Sequence, residues 1–179
     1  MKRVCVFSGS NVGRQSAYAG AAVALGKELI KRGIGLVYGA GNIGLMGVMA
    51  ETVLAGKGEV IGVIPNFMVE KELARRDLTQ LHVVSSMHER KALMANLSDA
   101  FVALPGGYGT LEEFCEMLTW EQLNLHRKPC GLLNIGGFYD NLLGFLDYQV
   151  REGFVTPQNR ELVIEAADPV SILDKMELY

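Results

Sequence analysis

The sequence is short of the residues that metal and redox chemistry use. Its 179 residues include three cysteines, Cys5, Cys115 and Cys130, an odd number, widely spaced and without a CxxC pair. No disulfide framework follows from them, and reduced thiols in a cytoplasmic protein are expected. The three histidines, His82, His88 and His126, show no ligand spacing such as HExxH, so no metal site is expected. Long apolar runs are missing too. None nears the roughly 18 residues of a membrane span, and the run before Ser8 is too short for a signal peptide. Neither sign of charge dominates. A net charge of −3 gives no general attraction to nucleic acid or to an anionic membrane. A small anionic ligand would therefore need a local basic site.

What remains is an ordinary globular composition, 49% apolar and 21% charged, that fits one domain over residues 1–179. Short apolar runs alternate with helical patterns. RVCVFSG, GLVYGAG, EVIGVIP, LHVVSS, AFVALPGG and PCGLLNIGG mostly hold aliphatic or β-branched residues at consecutive positions, as strands buried on both faces do. Helical patterns fall at about 16–32, 44–56, 87–97, 110–124 and 138–152. The alternation predicts an α/β fold with a doubly wound parallel sheet. Residues 67–80 read as a long polar connection with room for one helical turn.

Glycines gather where these strands end: Ser8-Gly9-Ser10, Gly39 to Gly44, Gly106 to Gly109 and Gly136-Gly137. Open α/β sheets bind ligands at the carboxyl ends of their strands. The first three clusters are therefore read as one site, with the backbone at Gly9 and Gly41 close to a ligand. Gly136-Gly137 serves equally well as a plain turn. The second cluster fits GxGxxG. The acidic residue that a nicotinamide cofactor wants about 20 positions on falls near Glu59, which opens a strand when it should close one. No dinucleotide is assigned, and no cofactor is expected.

Two stretches carry candidate chemistry. In ALPGGYGTLEEF, residues 103–114, Thr110 and Glu113 have capping-box spacing, with the threonine capping a helix and the glutamate reaching back. That box does not need Gly106, Gly107 and Gly109. Glycines there leave N–H groups open to an anion at a helix N-terminus. A phosphate on Gly107, Gly109 and Thr110 would put Glu112 and Glu113 one turn away, beside a sugar. In SSMHERKALM, Ser86 and Glu89 also have capping-box spacing. Arg90 and Lys91 then sit in a first turn, where the helix dipole disfavours cations. Such a pair suits either an anionic ligand or a solvated basic face.

PGGYGTLEE resembles the PGGxGTxxE signature of the Lonely Guy family, the cytokinin riboside 5′-monophosphate phosphoribohydrolases. Pro105, Gly106, Gly107, Gly109, Thr110 and Glu113 fill every fixed position. YGAGNIGLMG is similar to the family's YGGGxxGLMG, with Ala40 in place of a glycine, and MHERK is similar to its MHxRK. LTWEQL, GLLN and GFYDNLLGFLD extend the likeness over nearly the whole chain. The resemblance implies a Rossmann-like homodimer. It would hydrolyse the N-glycosidic bond of an N6-modified adenosine monophosphate to free base and ribose 5-phosphate. It implies catalytic roles for Arg90 and Glu113 and a phosphate and ribose segment at Gly106, Gly107, Tyr108, Gly109, Thr110, Leu111 and Glu112. It also implies substrate contacts at Lys91, Thr119 and Glu72.

The chemistry is coherent with that reading. A departing base leaves an oxocarbenium-like ribose, which a carboxylate such as Glu113 can stabilise or for which it can activate water. A guanidinium stays charged, so Arg90 would donate hydrogen bonds and would not act as a general acid. One rival is a non-catalytic carrier of a phosphorylated cofactor, like the molybdenum-cofactor carriers of this architecture. It would need the glycine turns but not the Arg90–Glu113 pair. A second rival cleaves plain AMP. A pocket for an N6 substituent would draw on residues such as Met46, Met87 or Trp120. Family members have also been labelled lysine decarboxylases, yet nothing in the sequence suggests a lysine that would hold pyridoxal phosphate.

Overall fold

In the computed structural model, which describes residues 1–69 and 75–178, the apolar runs lie side by side as one parallel sheet. Its strands are β1 (Arg3–Phe7), β2 (Gly35–Tyr38), β3 (Val60–Pro65), β4 (Gln80–Val84), β5 (Ala100–Ala103), β6 (Cys130–Leu133) and β7 (Val163–Ala166). They run in the order β4-β3-β2-β1-β5-β6-β7. The helices are α1 (Ser16–Lys31), α2 (Gly44–Ala55), α3 (Met87–Leu97), α4 (Tyr108–Gln122), α5 (Asp140–Arg151), α6 (Pro157–Arg160) and α7 (Pro169–Lys175).

Successive strand residues point to opposite faces, and both faces are covered. Val4, Val6, Leu36 and Tyr38 join the core under α1, α2 and α7. Cys5, Phe7, Val37 and Phe101 join the core under α3, α4 and α5. That double cover is why the strands read as continuous apolar runs. The sheet grows outward from β1 to β4, then restarts at β5 on the other side of β1. The crevice beyond β1 and β5 is the switch point where doubly wound folds bind ligands.

Some expectations need correction. β4 is an edge strand, and Val83 on it is exposed. β7, α6 and α7 had no counterpart in the expected elements; each is only four to seven residues long. Among the described residues of the long connection, a 3₁₀ turn lies at Asn66–Met68. Glu59 is bound to Arg3, Nε to Oε2 at 2.7 Å, which gives it a structural task just before β3.

Candidate active site

Three βα turns meet at the switch point and hold one another by backbone. Gly9 N–H donates to Pro105 O at 3.1 Å, and Leu45 N–H donates to Gly9 O at 3.0 Å. Gly44 adopts φ of +63°, and a Cβ there would lie 2.2 Å from the backbone of Ser10. Its role is to let the second turn lie on the first. A Cβ on Gly106 would lie 2.1 Å from Thr110 Oγ1. The glycines at these positions therefore answer to packing between turns.

The turn after β5 does not form the expected capping box. α4 begins two residues earlier, at Tyr108, with Gly107 as N-cap in an extended conformation and no side-chain cap. Thr110 is the third helical residue, and its buried hydroxyl packs beneath Gly106. The cause is that glycine at the cap brings no oxygen of its own. The first-turn N–H groups are left without a capping side chain, the state in which a helix end receives an anion. At α3 the serine half of the box forms, and the glutamate reaches back one residue further, to Ser85. Ser86 Oγ accepts from Glu89 N–H at 3.1 Å, and Glu89 Oε2 accepts from Ser85 N–H at 2.8 Å and Ser85 Oγ at 2.6 Å.

Arg90 and Lys91 follow that cap and are both buried, at 5% and 6% exposure, so they are no solvated face. The β2–β3 pairing ends at Tyr38 opposite Gly62. One residue further, the carbonyls of Gly39 and Val63 accept from Arg90, Nη2 at 2.9 Å and Nε at 3.1 Å. Arg90 Nη1 lies 3.9 Å from Glu113 Oε1 and 3.8 Å from Met87 Sδ. Gly39 has to be glycine for this: a Cβ would lie 1.9 Å from Arg90 Nη2. Lys91 turns the other way, to Glu112 at 2.5 Å and Glu116 at 3.0 Å. Burial works against its charge, but the hydrogen bonding and charge attraction of its ammonium to the Glu112 and Glu116 carboxylates outweigh it and hold the pKa above the ordinary lysine value.

These groups surround a cleft of about 420 Å³. It is lined by Ser8, Gly9, Ser10, Met46, Met68, Met87, Arg90, Gly107, Tyr108, Gly109, Thr110, Glu112 and Glu113. Ser8 is 8% exposed, and its Oγ has no hydrogen-bond partner among the described residues. A buried, unpaired hydroxyl facing a cleft calls for a ligand partner. Tyr108 stands at the opening, 94% exposed. A smaller cavity of about 200 Å³ shares Gly9, Ser10 and Gly107 with the cleft and is otherwise mainly apolar, with Tyr18 and Phe138 in its wall. Among the described residues, no group of three or more His, Cys, Asp or Glu could hold a metal. Nor is any described helix long and apolar enough to cross a membrane.

The remaining expected contacts lie elsewhere in this chain. Gly106 lines the smaller cavity. Gly41 is buried in its turn, outside both linings, and Leu111 packs against the α3–α5 core. Lys91 is not in the cleft lining and meets it through Glu112. Thr119 lies nine residues along α4 from Thr110, or about 13 Å at 1.5 Å per residue. It lines a groove with Leu142 and Phe145 of α5. Glu72 is outside the described residues. Met46 and Met87 do line the cleft, whereas Trp120 packs against the core. The sequence reading missed the roles of Gly39, Ser10 and Met68. Gly39 was visible only as part of a dinucleotide-like pattern, and no local signal ties it to an arginine 51 residues away.

Known proteins resemble this chain over most of its length. A family model described as possible lysine decarboxylase matches residues 46–176. The probable cytokinin riboside 5′-monophosphate phosphoribohydrolase LOGL5 of Oryza sativa subsp. japonica is 52% identical over 178 residues, covering 99% of this chain and 72% of its own. The cytokinin riboside 5′-monophosphate phosphoribohydrolase LOG3 of Arabidopsis thaliana is 50% identical over 178 residues, covering 99% and 83%. Among solved structures, the molybdenum cofactor binding protein of Rippkaea orientalis superposes with a TM-score of 0.73 over 99% of this chain and 96% of that one. At 20% identity, that likeness concerns the fold alone.

Proposed function

This chain belongs to the cytokinin riboside 5′-monophosphate phosphoribohydrolase family, and on that premise we propose how its cleft hydrolyses the N-glycosidic bond of adenosine 5′-monophosphates, N6-modified ones included. The observation that carries the reading is the meeting of Arg90 and Glu113, 3.9 Å apart, beside a helix N-terminus that has no capping side chain. The phosphate docks on the first-turn N–H groups of α4, where the helix dipole favours an anion. Glu112, held by Lys91, accepts from the ribose hydroxyls. As the C–N bond breaks, its electron pair leaves with the base and positive charge grows on the ribose. The Glu113 carboxylate stabilises that charge and takes a proton from the attacking water. Arg90, fixed by two backbone carbonyls, donates to the departing base or the phosphate and keeps Glu113 in place. The proton that Glu113 takes from water passes on to the nitrogen of the departing base, which restores the carboxylate, so the products are the neutral free base and ribose 5-phosphate.

A decarboxylase using a pyridoxal Schiff base would need a lysine at the site. Among the described residues, none that lines the cleft is lysine, and Lys91 is engaged by two carboxylates. A non-catalytic carrier would have no use for a carboxylate 3.9 Å from a buried guanidinium. The test is a panel of nucleotides and nucleosides with chromatography for released base. Each charge-assisted phosphate contact contributes about 1.5–3 kcal/mol. AMP should therefore exceed adenosine in kcat/KM by about 10²-fold or more; equal values would overturn the reading.

The homodimer belongs to the same proposal, and the cytoplasm is the compartment that fits the unpaired thiols. Support comes from exposed apolar side chains near the α4–α5 groove: Leu123 and Leu125 after α4, Phe145 and Tyr148 on α5, and Phe154 beyond it. α2, whose apolar residues turn into the core against α1, offers no such face. A second copy on the groove would give Thr119 a route to substrate that its own cleft denies it. Light scattering at micromolar concentration should give twice 19.5 kDa.

A further inference from the structure

The chain has eight methionines. Met49, Met94, Met117 and Met176 are buried in the core, and Met1 is the exposed terminal residue. The other three, Met46, Met68 and Met87, are all partly exposed and all line the nucleotide cleft. They come from three different segments: α2, the 3₁₀ turn after β3, and the first turn of α3. Every internal methionine that solvent can reach thus faces one site.

Their placement bears on the catalytic guanidinium. Met87 Sδ is 3.8 Å from Arg90 Nη1, the nitrogen that also faces Glu113. Met46 Sδ lies 3.6 Å from the position a Cβ on Gly39 would take, beside Arg90 Nη2. A thioether is a weak acceptor and leaves Nη1 to Glu113. A sulfoxide is strongly dipolar, turns a flexible apolar side chain into a polar one and disrupts methionine-rich surfaces.

We propose that this methionine wall is an oxidation site through which peroxides switch the enzyme off reversibly. The thioether sulfur gives an electron pair to one peroxide oxygen and the O–O bond breaks. An S–O bond forms, and the other oxygen leaves as water once protonated. Sulfur is oxidised by two electrons and the peroxide reduced by two. The new oxygen on Met87 then competes with Glu113 for Arg90 Nη1, and the apolar wall facing the base becomes polar. The expected loss rests on the hydrolase reading; the chemical modification does not.

The experiment treats the folded protein with hydrogen peroxide, with and without AMP, and follows sulfoxides by peptide mass mapping beside hydrolysis of AMP. Met46, Met68 and Met87 should oxidise before Met49, Met94, Met117 and Met176, and AMP should slow them. Activity should fall about tenfold or more in step with Met87 sulfoxide. Thiols should not restore it, whereas methionine sulfoxide reductases should, which separates the effect from oxidation of the exposed Cys115. Met87→Leu, measured against its own untreated activity, should keep a larger share. Full recovery with thiol alone, sulfoxides on the cleft methionines with activity intact, or prior oxidation of the core methionines would overturn the proposal. If untreated protein releases no base, the hydrolase reading fails, and the order of oxidation and its suppression by AMP still decide whether the wall is the site.

Discussion

Gly39→Ala is the smallest change that should disarm this site. The backbone at Gly39 is not in the left-handed region, so alanine carries no conformational penalty there. The effect must come from contact. The new Cβ would lie 1.9 Å from Arg90 Nη2 and 3.1 Å from Cζ. The first of these is about an ångström inside any normal approach, in an interior with no slack. The guanidinium must swing away and give up at least the Nη2 bond to Gly39 O. A hydrogen bond from a charged donor is worth about 1.5–3 kcal/mol, so stability should fall by that order. Displacing a catalytic group by about 1 Å costs on the order of 10²-fold in rate. Steady-state hydrolysis of AMP should therefore show kcat/KM down about 10²-fold or more, with the folded state intact by circular dichroism. An alanine variant with near wild-type kcat/KM would refute the argument that Gly39 and Arg90 act as a unit.

Glu113→Gln should lower kcat about 10²-fold with little change in melting temperature, because Gly107 and not Thr110 caps α4; unchanged kcat would remove the carboxylate from the chemistry. Gly20→Ala, on the exposed side of α1 with nothing within 4 Å of the new Cβ, should raise stability by about 0.5–1 kcal/mol and leave activity alone, as denaturant titration would show. Tyr38→Phe removes a buried hydroxyl with no partner among the described residues and should raise stability by about 1 kcal/mol. Burial also raises the Tyr38 pKa. The unfolded phenol, with a pKa near 10, ionises first as pH rises, so the Tyr38 contribution to stability is whole below about pH 10 and declines above it. Tyr38→Phe should flatten the decline in urea melts at pH 9 to 11, though Tyr139 and the thiols of Cys5 and Cys130, all raised in the same direction by burial, keep part of it.

The sheet was legible because both its faces are buried: residues such as Val4 to Phe7 and Phe101 to Ala103 show no polar interruption. β7 was not, since VIEA is short, lies at the sheet edge and carries a glutamate. In the site, Arg90, Glu112 and Glu113 could be named from motif spacing. Their geometry could not, for the arginine is anchored by the carbonyls of Gly39, just past β2, and Val63 on β3, and nothing local encodes that. The capping box illustrates the limit most clearly. Ser86 and Thr110 carry the same local pattern, yet only Ser86 caps, because glycines ahead of Thr110 let the helix start earlier.

The three βα turns that lean on one another also fix when this site can exist. Gly9 is tied to Pro105, 96 positions along the chain, and Gly44 rests on Ser10. During synthesis, β1, β2 and their glycine turns emerge long before the turn after β5 is available. No half-formed cleft can wait for it, since each turn lacks a wall until the others arrive. Long-range closures of this kind come late, after local helices have formed. Nucleotide binding during refolding should accordingly lag the helical signal and report the insertion of β5 beside β1, the event that joins the two halves of the sheet.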